Sequence, residues 1–422
     1  MNKVSFVYQN LDAIPSEWKI SRYKYHIKIK NGFPFKSNYF DHYDGFPLIR
    51  IRDITNGEIK TFYKGDFSEE FIIKKNDLII GMDGDFNLRW WDGPDALLNQ
   101  RCCQILESNT FYLRFLYYLL PYQLQIINDI TYFTTVKHLS IFDIYEETVL
   151  IPPIEEQRII SLYLDKKTKQ INNLIKKIER KIELLREKKT ALINQFVTKG
   201  LDSKVSMRDS GINWIGKIPR NWGTSKIKYL TSYNDEVLNE KTDPNYSFHY
   251  IEVGDVNFEN GILIKEKILF KNSPSRARRV IRSKDVIIST VRTYLRSISI
   301  VPDLPNLICS TGFCVLRSKS RKLLSDYLSY FVKTTGFVEE VVKNSYGVSY
   351  PAINSIDLTQ FDLLLPPLEE QRKIVERISY EENLLKKIIE KLQKKVNLLI
   401  EYRKSLISSV VTGKIRITED MI

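Results

Sequence analysis

One nine-residue motif occurs twice in this chain of 422 residues and divides it into two related halves. The sequence LIPPIEEQR at positions 150–158 returns as LLPPLEEQR at positions 364–372, an offset of 366 − 152 = 214 residues between the first prolines. Residues 192–198 match residues 406–412 at the same offset, so no insertion separates the two matches in either copy. An internal repeat constrains the fold strongly, because both copies must form the same kind of unit.

The part of each copy before the motif is predicted to be a globular, strand-rich α+β domain. Its entry, IPSEW at 14–18 and IPRNW at 218–222, repeats at an offset of 222 − 18 = 204, so the second copy is about ten residues longer here. Apolar β-branched runs around turn residues, at 71–80 and 280–288, are typical of a strand, a turn and a strand. Helical periodicity at 113–120 and 323–331 adds one helix to each domain.

A long helix is predicted after each Pro-Pro. The Glu-Glu pair falls in the first turn, where carboxylates complement the helix dipole. Heptad spacing then continues for about 33 residues, which indicates a coiled-coil seam. Its positions are Leu164, Thr168, Ile171, Ile175, Ile178, Ile182, Leu185, Lys189, Leu192 and Phe196, and in the second copy Ile378, Glu382, Leu385, Ile389, Leu392, Val396, Leu399, Arg403, Leu406 and Val410. A basic residue interrupts both seams at the equivalent place, Lys189 and Arg403.

The two helices are predicted to pack on each other in antiparallel fashion, because residues 199–216 form only a short link to the second domain. The predicted molecule is a pseudo-twofold α+β protein with two similar strand-rich domains separated by two antiparallel coiled-coil helices. The expected boundaries are 1–151 for the first domain, 152–200 for the central helix, 201–365 for the second domain and 366–422 for the C-terminal helix.

Composition favours a soluble, globular protein that binds a polyanion. Lysine and arginine outnumber aspartate and glutamate by 64 to 51, giving a formal charge of +13, and 43% of the residues are hydrophobic. The N-terminus lacks the apolar core of a signal peptide, and no run is long enough for a membrane span, so a cytoplasmic protein is expected. The four cysteines lack the CxxC spacing of a zinc site, which favours buried reduced thiols: Cys102, Cys103, Cys309 and Cys314.

Two related but different basic domains suit duplex DNA, on which half-sites recur about every 34 Å. The doubled Pro-Pro-x-Glu-Glu-Gln-Arg motif opening a heptad helix, the Ile-Pro-x-x-Trp entry and the duplication resemble the specificity subunit of Type I restriction-modification systems, over the whole chain. The resemblance implies two target recognition domains, each reading half of a bipartite, asymmetric site in double-stranded DNA. It also implies that the helices set the spacer and dock two DNA adenine methyltransferase subunits, which join motor-nuclease restriction subunits.

The resemblance further implies that this chain carries no catalytic centre and no cofactor. S-adenosylmethionine, ATP and Mg²⁺ are expected on the partner subunits. The sequence agrees, since Ile151 and Leu365 replace the Asn or Asp of a methyltransferase Asn-Pro-Pro-Tyr motif, and no GxxxxGK[ST] loop occurs. Asp83 and Asp85 could suggest a metal site, but no nuclease-like cluster follows them, and a polar turn is the preferred interpretation.

Candidate DNA contacts follow from the chemistry of base edges and phosphates, which select Arg, Lys, Asn, Gln and hydroxyl side chains. The first domain offers Arg89, Trp90, Asn99, Gln100, Arg101, Thr135, Lys137 and His138. The second offers Arg276, Arg278, Arg279, Arg282, Arg292, Tyr294, Arg296, Tyr346, Ser349 and Tyr350. For any one of them, a solvated charge or a core aromatic is as consistent with the sequence as a DNA contact.

Two other classes of protein remain alternatives. A coiled-coil scaffold with two protein-binding domains would explain the helices, but not the charge or the divergence of the domains. It predicts binding that is insensitive to DNA sequence and falls only weakly with salt. A duplicated nuclease or methyltransferase is disfavoured by the missing motifs.

Overall fold

A computed structural model describes residues 15–130, 137–347 and 350–422. The chain forms two compact units. The first unit consists of Met1–Ile178 together with Lys394–Ile422, and the second unit is Glu179–Gln393. Each unit therefore contains one globular domain and a segment of each long helix. This division passes through the helices, so it gives no direct measure of the predicted boundaries at 151, 200 and 365, which stay a prediction.

The first domain is built from a four-stranded sheet, a five-stranded sheet and a two-stranded ribbon. Its strands are β1 (Lys19–Arg22), β2 (Ile29–Asn31), β3 (Phe40–Asp41), β4 (Phe46–Ile49), β5 (Phe62–Tyr63), β6 (Ile72–Ile73), β7 (Leu78–Gly81), β8 (Leu88–Trp90), β9 (Ala96–Leu98), β10 (Cys102–Ile105) and β11 (Thr148–Ile151). The sheet orders are β2-β10-β7-β8, β3-β5-β4-β9-β6 and β1-β11. Its helices are α1 (Ile51–Ile54), α2 (Leu113–Ile130) and α3 (Ile141–Glu146), and α4 (Ile154–Lys199) follows β11.

The second domain repeats this plan. Its strands are β12 (Met207–Asp209), β13 (Lys217–Pro219), β14 (Gly223–Lys226), β15 (Thr231–Tyr233), β16 (Ser247–Ile251), β17 (Val256–Asn257), β18 (Gly261–Ile262), β19 (Lys267–Leu269), β20 (Ala277–Ile281), β21 (Val286–Ser289), β22 (Ile298–Ile300), β23 (Leu307–Ser310), β24 (Phe313–Ser318) and β25 (Asp362–Leu365). The sheet orders are β15-β24-β21-β22, β19-β16-β23-β20, β14-β25, β12-β13 and β17-β18. Its helices are α5 (Ile227–Leu230), α6 (Ser325–Val332), α7 (Thr335–Lys343) and α8 (Ser355–Thr359), followed by α9 (Leu368–Val411).

The two apolar runs predicted as strand, turn and strand, at 71–80 and 280–288, do contain these strands. The two strands of each run do not pair with each other. β6 pairs with β9, whereas β7 pairs with β10 and β8 in the other large sheet. β20 and β21 are divided between two sheets in the same way. The turns between them contain Asn76 and Lys284, both with left-handed backbone (φ 78° and 70°), and each turn passes the chain from one sheet to the next.

Apolar strand residues supply the cores. In the first domain Ile49, Ile79 and Trp91 are fully buried between the two large sheets and α1. In the second unit a larger core joins strands β21 and β24, helix α6 and the long helices, with Trp222 and Tyr327 among its largest members. The cysteines are free and buried, as expected, and burial raises the pKa of Cys103 and of Cys309 to about 12.

The long helices run antiparallel within each unit. In the first unit, Asn172 on α4 accepts a hydrogen bond from Arg403 on α9, while Trp18 contacts both Glu156 near the start of α4 and Gly413 just after α9. In the second unit, Lys189 pairs with Glu382 at 3.0 Å. Gly200, just after α4, lies against Glu370 in the first turn of α9. Partner numbers fall along α9 as they rise along α4, which confirms the predicted direction.

Both long helices end at a glycine with left-handed backbone, Gly200 (φ 77°) and Gly413 (φ 76°). A Cβ atom at Gly413 would lie 3.0 Å from Pro15 Cδ and 3.2 Å from Trp18 Cζ3. One at Gly200 would lie 3.3 Å from Trp222 Cζ2. Glycine therefore provides both the backbone conformation and the space that let each Trp entry pack on the end of a helix.

Candidate nucleic-acid interface

An equivalent loop follows one inner strand of the four-stranded sheet in each domain. In the first domain the loop between β7 and β8 forms a β-bridge from Asp83 to His138. In the second, the loop between β21 and β22 forms a bridge from Val291 to Ala352. Each bridge ties the loop to the segment that precedes the Pro-Pro motif. Residues far apart in sequence are thus brought into one cluster at the equivalent place in each domain.

In the first domain this cluster is polar and exposed. Asp83 Oδ1 lies 2.7 Å from His138 Nδ1 and 3.5 Å from an Arg101 guanidinium nitrogen. Lys137 Nζ donates to Asn128 Oδ1 at 2.6 Å, and Asn128 in turn donates to the carbonyl of Gly84. Asp83 therefore orients one arginine and one histidine at the surface, and the polar turn expected at 83–85 is what the structure shows.

A tight turn places Gln100 beside this cluster. The backbone N–H of Cys102 donates to the carbonyl of Asn99 at 2.9 Å, so Gln100 and Arg101 occupy the corners of the turn between β9 and β10, and both are exposed. The backbone N–H of Met82 donates to the carbonyl of Arg101, which fixes the turn against the Asp83 loop. Gln100, Arg101 and His138 together can present amide, guanidinium and imidazole donors to base edges.

Three other candidates of the first domain have structural partners. Arg89 donates to the carbonyl of Ile54 at 3.3 Å and to Asp92 at 2.9 Å, which ties β8 to α1. Trp90 lies under the Arg114 guanidinium, 4.7 Å from the ring centre. Asn99 is buried and its backbone N–H donates to Ile49. Thr135 lies outside the described residues, as does Ser349 of the second domain.

The loop of the second domain is strained and rich in arginine and tyrosine. Arg292 and Arg296 flank a short 3-10 turn and both adopt left-handed backbone (φ 49° and 55°). For a non-glycine residue this conformation costs about 1 kcal/mol or more, and it is concentrated at functional sites. The Arg292 guanidinium stacks 4.5 Å from the ring centre of Tyr350, and the Thr293 hydroxyl lies 3.0 Å from that of Ser345. Tyr294, Tyr346 and Tyr350 are exposed around this turn.

Strand β20 contains two of the candidate arginines and is flanked by two more, and the structure separates the four. Arg276 and Arg279 contact the turn at Thr311, since Thr311 N–H donates to the Arg276 carbonyl and an Arg279 guanidinium nitrogen donates to the Thr311 carbonyl at 3.3 Å. The next residue, Gly312, accepts from Thr290 N–H, so these arginines adjoin the Arg292 loop. Arg278 instead stacks on Phe270.

Arg282 lies at the opposite end of β20 and has an internal partner. Its guanidinium contacts Glu236 at 2.7 Å. Burial alone would raise the pKa of Glu236, but hydrogen bonds from Arg317 and Arg282 leave it below its ordinary value. Arg282 is therefore part of an ion-pair network within the domain and stands apart from the loop cluster.

One tyrosine in each domain, at an equivalent position, joins the domain to its long helix. Neither tyrosine was among the candidate residues found from the sequence. Tyr118 on α2 donates to Asp165 Oδ1 on α4 at 2.5 Å and lies 3.2 Å from the Thr168 hydroxyl. Tyr330 on α6 donates to Glu382 on α9 at 2.8 Å and lies 3.3 Å from the Ser379 hydroxyl. The acidic residue precedes the hydroxyl residue by three positions in the first copy (Asp165 and Thr168), and follows it by three in the second (Ser379 and Glu382). This reversed order hides the relationship from a comparison of sequences, although Tyr118 falls inside the predicted helix.

Comparison with known proteins identifies the family. The model of the Type I restriction modification DNA specificity domain matches residues 15–184 and again 219–398, one match for each copy of the repeat. The chain belongs to this family.

Individual relatives agree with this assignment. The chain is 30% identical to the Type I restriction enzyme EcoBI specificity subunit of Escherichia coli, over 83% of this chain and 76% of the relative. It is 26% identical to a putative type I restriction enzyme MjaX specificity subunit of Methanocaldococcus jannaschii, over 98% and 97% of the two chains. The protein is therefore a DNA sequence-specificity subunit of a Type I restriction-modification system.

Solved structures show the same fold. A chain from a structural study of complex assembly and conformational transition in the type I R-M system superposes with a TM-score of 0.71 at 17% identity, covering 95% of this specificity subunit and 99% of that chain. The HsdS subunit from Thermoanaerobacter tengcongensis superposes with a TM-score of 0.52, also at 17% identity, covering 95% and 98%. The duplicated α+β architecture with long helices is thus the fold of this family.

Proposed function

We propose that each domain of this specificity subunit reads one half of a bipartite DNA site. The observation that carries the proposal is the pair of loop clusters at equivalent positions with different chemistry. The first presents Gln100, Arg101 and His138, whereas the second presents Arg292 and Tyr350 on a strained turn. Equivalent placement with unlike side chains supports two half-sites of different sequence, because different donors select different base edges.

The long helices are the proposed spacer and the dock for the modification subunits. Leu184 on α4 and Leu398 on α9 are related by the repeat, 398 − 184 = 214, and both are exposed. Exposed leucines at matching places on two otherwise charged helices favour two copies of one protein partner, each binding one copy of the repeat. Two DNA adenine methyltransferase subunits fit this requirement, and restriction subunits would join the same complex.

We further propose that the chemistry of methylation and cleavage belongs to the partner subunits. S-adenosylmethionine, ATP and Mg²⁺ would bind there, with this chain supplying recognition alone. Within residues 15–130, 137–347 and 350–422, no group of three metal-binding side chains occurs, and no helix is both long and apolar enough to cross a membrane. With host DNA as the target, the proposed location is the cytoplasm.

Methylation mapping tests this function. The gene would be expressed with its methyltransferase partner in a host that lacks other adenine methylation, and methylated adenines would be mapped across the genome. The proposal predicts one new motif made of two short half-sites around a fixed unspecified gap. A soluble complex that binds DNA without sequence preference and methylates no motif would instead support the scaffold alternative.

A further inference from the structure

A cleft of about 820 Å³ lies in the first unit between α2 and the two long helices. Five cationic side chains line it, and it is called the basic cleft below: Arg114 from α2, Lys169 and Lys176 from α4, and Arg403 and Lys404 from α9. Tyr117 and Tyr122 of α2 form part of its opposite wall. Arginine, lysine and tyrosine side chains are among the groups that bind phosphate oxygens.

The charge of the basic cleft is not balanced by the protein. Asp165 is the acidic residue in its lining, and this carboxylate is already engaged by the Arg114 guanidinium at 2.6 Å. Across the described part of the chain, none of the other four lining cations has a carboxylate within ion-pair distance. Arg403 has Asn172, a neutral amide, as its hydrogen-bond partner. An anion from outside the chain would therefore find cations that are free to bind it.

The second unit shows that this imbalance is specific to the first. Lys189 is the repeat equivalent of Arg403 (189 + 214 = 403) and forms an ion pair with Glu382 at 3.0 Å. The residue equivalent to Glu382 in the first copy is Thr168 (382 − 214 = 168), which carries no charge. The same position in the seam is therefore neutralised in one unit and left positive in the other.

The basic cleft continues to the DNA-reading loop of its own domain. A neighbouring cavity of about 590 Å³ is lined by Asp85, Asn87 and Lys137. It shares Leu88, Pro121, Gln125 and Lys404 with the basic cleft. Lys137 precedes His138, which faces Asp83 in the loop cluster. The two adjoining cavities thus connect the proposed base contacts to Arg403, with Lys137 and Lys404 between them.

We propose that the basic cleft binds backbone phosphates of the DNA spacer, immediately beside the half-site read by the first domain. The proposal rests on the proposed function, because it assigns the path of the DNA once the loop has found its bases. Phosphate contacts carry no sequence information, so the basic cleft would add affinity at a spacer of any sequence. The neutralised second unit would lack this contact, which gives the two half-sites unequal phosphate footprints.

The test measures how DNA affinity depends on salt. Specificity subunit co-purified with its modification subunits would be titrated with a duplex carrying the mapped site, at several KCl concentrations. In the double variant Arg403→Gln with Lys404→Gln, two lost phosphate contacts should reduce the slope of log affinity against log salt by about 1.8, since each contact contributes about 0.9. Affinity at moderate salt should fall about tenfold or more, with the preference for the correct half-sites unchanged.

Two further variants separate charge from folding. Thr168→Glu places in the first copy the carboxylate that the second copy has at Glu382, and it should also weaken DNA binding while the thermal unfolding temperature is kept. Lys391→Gln with Lys395→Gln removes two exposed charges from α9 outside the cleft lining. This matched pair should leave the salt slope within error of the wild type.

An unchanged salt slope in the Arg403/Lys404 double variant overturns the proposal. So does loss of the modification subunits from the purified complex, because the basic cleft would then hold a protein segment. Failure of the proposed function is seen separately and earlier, in a wild-type complex that does not distinguish its mapped site from random duplex.

Discussion

The side-chain amide of Gln157 donates a 2.9 Å hydrogen bond to the carbonyl oxygen of Pro152. The same amide donates to the Thr110 carbonyl, and its oxygen accepts from the Tyr112 N–H. Gln371 makes the equivalent three bonds, to Pro366, Lys322 and Leu324. Both glutamines are fully buried. The glutamine of the repeated motif therefore links each recognition domain to the start of its long helix through three hydrogen bonds.

Replacement of Gln157 should destabilise the first unit. Gln157→Ala removes the partner of the Tyr112 N–H and of the carbonyls of Thr110 and Pro152, and we expect the free energy of unfolding to fall by about 3 kcal/mol. Urea unfolding measures the change. Gln170→Ala on the same helix is the control, because Gln170 is exposed, and it should be nearly neutral. If Gln157→Ala and the control change the free energy of unfolding by the same small amount, the hydrogen bonds of Gln157 do not stabilise the first unit.

The two entry tryptophans should respond differently to the same substitution. Trp18 Nε1 donates to Glu156 at 3.0 Å, whereas Trp222 Nε1 is buried and has no hydrogen-bond partner among the described residues. Trp18→Phe loses a hydrogen bond to a carboxylate, whereas Trp222→Phe removes an unsatisfied donor. We expect Trp18→Phe to cost about 2 kcal/mol more than Trp222→Phe, because a bond to a charged group contributes about 1.5 to 3 kcal/mol. Equal costs in thermal unfolding would contradict this.

Substitutions in the loop clusters should change one half-site at a time. Arg101→Gln should relax the base preference in one half of the methylated motif, and Arg292→Gln in the other, each costing about 1 to 3 kcal/mol of discrimination. Methylation mapping of each variant is the measurement. Arg282→Gln is the control, since Arg282 pairs with Glu236 away from the cluster, and its motif should match the wild type. A motif unaltered by Arg292→Gln would remove that loop from the interface.

A charge on the proposed dock should release the modification subunits. Leu184→Lys combined with Leu398→Lys places cations on two exposed apolar side chains and should lower the yield of methyltransferase in co-purification by tenfold or more. Leu162→Lys is a single-site control at another exposed leucine of α4. Because all three leucines are exposed, the fold should be unaffected in circular dichroism. Full retention of the partner in the double variant would place the dock elsewhere.

The thiols should be inert in the folded protein. Burial raises the pKa of Cys103 and Cys309 to about 12 and that of Cys314 to about 11, so the reactive thiolate is scarce at pH 8. Because the folded state favours the neutral thiol, the free energy of unfolding is unaffected below the ordinary thiol pKa. It falls as the pH rises from that value toward the raised pKa values. Ellman's reagent should label none of these three at pH 8 and all of them in denaturant. Rapid labelling of the native protein would contradict the buried assignment.

Much of the architecture was predictable from the sequence because it follows from periodicity and repetition. The repeat motif located the helix starts, and the structure places them at Ile154 and Leu368. The heptad pattern indicated the seam, in which Ile171, Ile178 and Leu385 are buried. The candidate contacts were less accessible to such reasoning. Arg89 lies in strand β8 and Arg101 directly precedes β10, and pattern alone does not show that the first binds Ile54 and Asp92 while the second faces Asp83 at the surface.

The sequence by itself determined the two related domains, the two long helices and their antiparallel order, because these depend on a repeat offset, a heptad period and a link length. Tertiary structure alone decided which side chains meet. Asp83 and His138, or Arg292 and Tyr350, come together only when a loop and a distant segment form a bridge. The difference between Lys189 and Arg403 appears only once each is seen beside its partner, Glu382 or Asn172. Such contacts depend on positions in space that a one-dimensional pattern does not encode.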